Sequence, residues 1–158
     1  MIYYGDEIGT LNDNAYRDDP HKISDSRWVH RPTIDWKKAQ LRNIPGTVEF
    51  SIFTALKRMI AVRKEIEVFS DFNNRELIEV ENPQLFVFCR YDLLKPSERV
   101  LVVANFDGKP QHFNMDEVDN WGSSSNRNLI DLYSGRKPDF FKNTLVIPSF
   151  GFYWLGEI

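Results

Sequence analysis

The spacing of apolar residues along this chain changes period once. Over residues 47–66, Val48, Ile52, Phe53, Leu56, Met59 and Ile60 recur at three- and four-residue intervals. That spacing predicts an amphipathic helix with a wide apolar stripe. Pro45 and Gly46 stop the segment before it, Thr47 suits the N-cap, and Glu49 suits the positive end of the helix dipole. Lys57, Arg58, Arg63 and Lys64 sit toward the other end, where cations are favoured, and read as a solvated face.

From residue 75 onward the period becomes two. "RELIEVE", "LFVFCRYD", "RVLVVANFD", "QHFNM", "RNLIDLYS", "NTLVIPS" and "FGFYWLGEI" are short β-prone runs. Turn-forming residues separate them: Asn82-Pro83, Lys95-Pro96-Ser97, Asp107 to Pro110, Gly122 to Ser125 and Ser134-Gly135. Seven or eight strands at this spacing predict an antiparallel β-sandwich. The chain thus divides into residues 1–70 and 71–158.

The first part has little pattern before its helix. "MIYY", residues 1–4, reads as a short buried strand ended by Gly5, and residues 5–46 read as one long loop. Connections in compact domains are usually about 4–6 residues, and longer ones are commonly functional. The Trp and Arg content of "KISDSRWVHRP", residues 22–32, argues against disorder. One strand, one loop and one helix would leave strand edges unpaired, so this part reads as the last β/α unit of something larger.

Composition adds bounds. An apolar share of 42% with 12 Phe, 6 Tyr and 4 Trp supports a β-rich core. A net charge of −3 shows no bias toward nucleic acid or an anionic membrane. The start lacks the features of a signal peptide and no apolar run approaches a bilayer span, so a soluble protein is expected. The expected location is the cytoplasm, with secretion left open. The single cysteine, Cys89, lies in a strand-like run and reads as a buried structural thiol. His21, His30 and His112 lack ligand spacing, so no metal site is expected.

Three stretches together carry a resemblance: "IYYGDEIGTLND", then "SDSRWVHRP", then a helix ending "MIAVRK". They resemble the end of the α-amylase superfamily barrel (glycoside hydrolase family 13) and, more narrowly, amylosucrase and its sucrose-active relatives. The resemblance implies that Gly5, Asp6 and Glu7 form the turn after the eighth strand of a (β/α)8 barrel, with residues 71–158 as the C-terminal sandwich called domain C. Active sites of such barrels are built from loops at the C-terminal strand ends. The loop after Gly5 would then border a sugar pocket, which Asp13, Asp25, Arg27, His30 and Arg31 can face.

Within that resemblance Arg27 closes the floor of a glucosyl pocket by pairing with an aspartate from an earlier barrel loop. A guanidinium suits this because its planar fork holds a carboxylate at two points without losing its charge. The other reading is that Arg27 only anchors its own loop to Asp25. Asp13 and His30 are further sugar-binding candidates, His30 as a donor to a hydroxyl or as a loop-packing ring. Asn12, like Asp13, is a candidate to approach the sugar. Asp6 and Glu7 are adjacent carboxylates, whereas retaining glycoside hydrolysis needs two carboxyls about 5–5.5 Å apart across the scissile bond. Neighbours at a strand end point apart, so both read as bracing the turn. Trp28 and Trp36 are expected to pack against the barrel rim, Trp154 in the core or between domains, and Trp121 in the sandwich.

The resemblance implies the C-terminal part of a retaining enzyme that transfers or hydrolyses α-glucosyl units of sucrose or α-glucans. Its catalytic carboxylates would lie on earlier strands, so the isolated chain is expected to be inactive. No organic cofactor is implied. Partners would be carbohydrate, bound through the missing barrel, and the rest of that barrel or another copy. The alternative is a non-catalytic sandwich that binds carbohydrate or serves as a structural module.

Overall fold

A computed structural model describes residues 2–70, 74–95, 98–118 and 128–157. Trp121, Pro96, Ser97 and the Gly122 to Ser125 turn lie outside these. The chain forms two compact units, Met1–Ala61 and Val62–Ile158. Among the described residues no helix is long and apolar enough to cross a membrane.

In the first unit, short 3-10 turns at Asp6–Ile8, Asn14–Asp18 and Ser26–His30 lead to helix α1 (Trp36–Gln40), a further turn and helix α2 (Val48–Glu65). Helix α2 starts where its sequence says it should. The Thr47 hydroxyl accepts from the Phe50 amide at 3.2 Å and lies 2.7 Å from the Leu41 carbonyl oxygen, so one group caps the helix and ties down the preceding turn. The apolar stripe is only half covered: Ile52, Phe53, Leu56 and Met59 are intermediate, and Val48 and Ile60 are exposed. The buried residue of the helix is Glu49, whose carboxylate stands 3.7 Å from Lys38 Nζ.

One expectation fails here. "MIYY" is no buried strand: Ile2, Tyr3 and Tyr4 are exposed and extend along no ladder. A strand exists only by pairing, and among the described residues no strand of this unit pairs with them. Trp36 is 68% exposed, while Trp28 is half-covered with Lys22 Nζ 5.3 Å from its ring centroid.

The second unit is mainly β. Strands β1 (Arg75–Ile78), β2 (Leu85–Tyr91), β3 (Arg99–Asn105), β8 (Phe152–Glu157) and β5 (Leu129–Asp131) form one antiparallel sheet in the order β1-β2-β3-β8-β5. A second sheet has the order β4-β7-β6, from β4 (Gln111–Asn114), β7 (Thr144–Ile147) and β6 (Phe140–Phe141). Alternate residues of both sheets meet in one core. Val87, Leu101, Val103 and Leu155 come from the first sheet, with Phe113, Leu145 and Ile147 from the second. Cys89 is buried among them, as its run implied. The arrangement is consistent with a β-sandwich.

The larger sheet is also partly covered on its outer face. Phe69, from the 3-10 turn Glu67–Phe69, lies 5.1 Å from Trp154, which Tyr133 meets edge-on at 5.9 Å. Val100 and Val102, facing that side of β3, are buried as well. This double burial explains why "RVLVVAN" reads as a nearly unbroken apolar run. Where the cover ends, Leu77 and Phe86 remain exposed.

Candidate functional site

The site is built on the turn after Tyr4. Gly5 sits at φ 90°, a left-handed conformation that L side chains rarely adopt, and a Cβ there would come within 2.8 Å of Thr10 Oγ1. That geometry lets the Thr10 amide return to the Gly5 carbonyl at 2.9 Å, closing residues 5–10 into a compact knot around buried Ile8. Two carboxylates hold the knot from outside. Asp6 Oδ2 accepts from the Tyr3 amide and Glu7 Oε2 from the Gly5 amide, both at 2.8 Å.

The following loop is clipped to a later one by a backbone bond, the Asp13 amide to the Val29 carbonyl at 2.9 Å. Beside it, His30 Nδ1 lies 3.0 Å from Asn12 Oδ1. The Tyr4 hydroxyl donates to the Pro32 carbonyl at 3.0 Å, tying the end of this second loop to the start of the chain. The segments border an open cavity of about 360 Å³, lined by Tyr3, Tyr4, Asp6, Asn12, Arg27, His30, Arg31 and neighbours. The Tyr3 and Tyr4 rings are 5.0 Å apart, giving one wall an aromatic surface.

Arg27 lines this cavity with its guanidinium already engaged. Its Nε and Nη2 each reach one oxygen of Asp25 at 2.8 Å, and its backbone amide donates to the same carboxylate at 3.0 Å. The side-chain hydrogen bonds from Arg27, then its amide, hold the Asp25 carboxyl down at about 2. The same pairing pushes the Arg27 guanidinium up from its ordinary value. The Arg27 side chain is nevertheless 72% exposed. Arg31 also lines the cavity, and its charge adds to the pull that holds the Asp25 carboxyl down.

Of the sequence-predicted residues, Arg27, His30 and Asp6 meet at the cavity. Asp13 does not: its carboxylate caps the Asn14–Asp18 turn by accepting from the Ala15 amide at 2.9 Å. Glu7 is turned to the Gly5 amide. Sequence reasoning missed Tyr3, Tyr4, Thr10, Leu11 and Pro32, because the first two were assigned to a buried strand. A compact acidic group also appears in the second unit, where Glu67, Asp92 and Glu98 bring carboxylate oxygens within 4.8 Å of one another. Lys95 Nζ sits 3.1 Å from Glu98 and supplies a counter-charge there; its own pKa is raised by that hydrogen bond first.

No protein-family model matches the chain. Solved structures do. The Bacillus licheniformis trehalose-6-phosphate hydrolase superposes with a TM-score of 0.51 at 21% identity, over 82% of this chain and 22% of its own. The pullulanase of Anoxybacillus sp. LM18-11, solved with maltotriose, gives 0.52 at 12% identity, over 80% of this chain and 16% of its own. Both are α-amylase-family enzymes. The likeness shows a shared fold. It covers more of the chain than the second unit alone makes up, so it extends into the first. The chain spans about a fifth of the length of these enzymes.

Proposed function

We propose that this chain is the C-terminal part of a retaining, amylosucrase-like enzyme that transfers or hydrolyses α-glucosyl units of sucrose or α-glucans. In this reading residues 1–70 are the last β/α unit of a (β/α)8 barrel, residues 5–32 form one side of the glucosyl pocket, and residues 71–158 are the domain C sandwich. The observation that carries it is the cavity. A chain with two Tyr rings, Asn12, His30 and two arginines around about 360 Å³ offers the apolar wall and convergent polar groups that suit a sugar ring.

The geometry also supports a division of labour. Retention requires two carboxyls about 5–5.5 Å apart, one to attack the anomeric carbon and one to exchange the proton with the leaving oxygen. Asp6 and Glu7 are spent on the Tyr3 and Gly5 amides. The reacting pair is therefore assigned to strands outside this chain, and the residues here orient the glucosyl unit and limit the pocket. Arg27 is assigned to pair with an aspartate of that missing part. No organic cofactor enters the reaction.

The first test is the coding frame ahead of Met1. About 250 or more additional residues with barrel strands and their strand-end carboxylates would support the reading; a frame without them would refute it. The second is turnover. The 158-residue chain is expected to release no fructose or glucose from sucrose or maltooligosaccharides, and sustained release would overturn the assignment of the reacting carboxylates elsewhere.

A further inference from the structure

The ring of His30 has two nitrogens, and its environment distinguishes them. Nδ1 faces Asn12 Oδ1 at 3.0 Å. With the Asn12 amide oxygen turned to the ring, as placed here, Nδ1 is the donor of this solvent-exposed contact. In a neutral imidazole that leaves Nε2 with a lone pair, and among the described residues Nε2 has no partner. The arrangement does not depend on these two side chains alone. The Asp13 amide to Val29 carbonyl bond locks the two loops in register one residue away on each, placing Asn12 beside His30.

We propose that Asn12 is a positioning residue that fixes His30 as its Nδ1–H tautomer, so that Nε2 accepts a hydrogen bond from a hydroxyl of a neutral sugar. This rests on the sugar-pocket reading and deepens it. The ring reads a hydroxyl as an acceptor, not as the donor that the sequence suggested. Arg31, next in the chain, lines the same cavity and offers N–H donors for a hydroxyl's own lone pairs. An acceptor and a donor side by side match an alcohol, which both gives and takes a hydrogen bond; they do not match an ether oxygen or a methyl group. The other charged or titratable groups at this cavity are Arg27, Asp6, Tyr3 and Tyr4, with Asp25 behind Arg27.

The test uses the ¹⁵N-labelled 158-residue chain and long-range ¹H–¹⁵N correlation of the imidazole nitrogens, with the ring neutral. His30 is expected to show a protonated Nδ1 and an unprotonated Nε2. N12D keeps an acceptor and should retain that pattern; N12L should shift the ring toward the commoner Nε2–H form. A protonated Nε2 in the parent chain, or no change in N12L, overturns the positioning role. Maltose and sucrose are then titrated in. Movement of the Nε2 resonance in the parent and N12D, with binding weakened roughly five-fold in N12L, is the result expected from loss of one oriented hydrogen bond. Correct tautomers with an Nε2 that ignores both sugars would overturn the hydroxyl contact. Should sugar shift Tyr3 and Tyr4 but not His30, the pocket reading survives and only this contact fails; silence throughout overturns this contact, and the wider reading is then decided by the coding frame.

Discussion

Asn105 closes one end of the sandwich, and replacing it tests whether polar satisfaction holds that end together. The side chain is 3% exposed. Its amide nitrogen donates to the Lys109 carbonyl at 2.8 Å and the Pro148 carbonyl at 2.9 Å, with Ile147 O at 3.3 Å, while Oδ1 accepts from the Asp107 amide at 2.8 Å. One residue thereby joins the β3–β4 turn to the β7–β8 turn. In N105A three carbonyls and one N–H lose this partner in a confined space. A lost bond costs about 1 kcal/mol net, and a buried group left unsatisfied about 1–3 kcal/mol. Allowing for water reaching part of the gap, the expected destabilisation is about 2–4 kcal/mol, or roughly 8 °C or more in Tm for a unit of this size. N105D keeps the acceptor for Asp107 but directs a carboxylate at carbonyl oxygens, so it should be no better than N105A. Urea unfolding and thermal melts followed by tryptophan fluorescence give both numbers, with the exposed His112→Ala as a control expected within about 0.5 kcal/mol of the parent. A loss below about 1 kcal/mol in N105A, or an N105D melting with the parent, would show that this end is held by apolar packing and refute the reasoning.

Phe113 is fully buried between the sheets, and F113A should cost about 3–5 kcal/mol in the same urea assay. T47A removes the N-cap of α2 and should cost about 1 kcal/mol, read most directly as faster exchange of the Phe50 amide. The Asp25 carboxyl titrates at about 2. Its folded value lies below the unfolded-chain value of about 3.9, so its contribution to stability is complete above that value, declines below it and is gone once pH falls through about 2. R27Q should return the Asp25 titration, followed by side-chain carboxyl ¹³C shifts, toward the ordinary range; an unchanged titration would mean that Arg27 is not the cause.

Where side chains alternate between a core and the other face, the pattern was plain in the sequence. β2 was foreseen because Leu85, Val87 and Cys89 turn one way and Phe86, Phe88 and Arg90 the other. β6 was not. It consists of Phe140 and Phe141 alone, defined by pairing with β7 across the turn at Lys142, and two residues carry no period. "MIYY" failed for the reverse reason: four apolar residues satisfy a strand's composition, but a ladder depends on a neighbour that the residues do not encode. At the site, Arg27 and His30 were named through the resemblance of "SDSRWVHRP" to a known loop, and both line the cavity. The bond from the Asp13 amide to Val29 was not, since a backbone contact between loops has no residue signature, and with it went the pairing of Asn12 with His30.

The place of Arg27 turns on how a guanidinium can be shared. It carries five N–H donors in a plane, arranged so that it can meet carboxylates on more than one edge. Asp25 occupies the edge made by Nε and Nη2 and leaves Nη1 unused. A second carboxylate, such as the one proposed to come from an earlier barrel loop, has room at the Nη1 side without displacing the first. Under the proposed function Asp25 then aims the exposed Arg27 rather than competing for it. The loop should show this without any sugar. In D25A the Arg27 Nε–H is expected to exchange faster with solvent and to lose its distinct resonance, while the Asn12–His30 contact, which uses neither residue, stays as it is. A guanidinium equally ordered in D25A would mean that something other than Asp25 aims it. If the His30 signals collapsed as well, Asp25 would be holding the whole loop, and its pairing with Arg27 would be scaffold, not preparation for a partner.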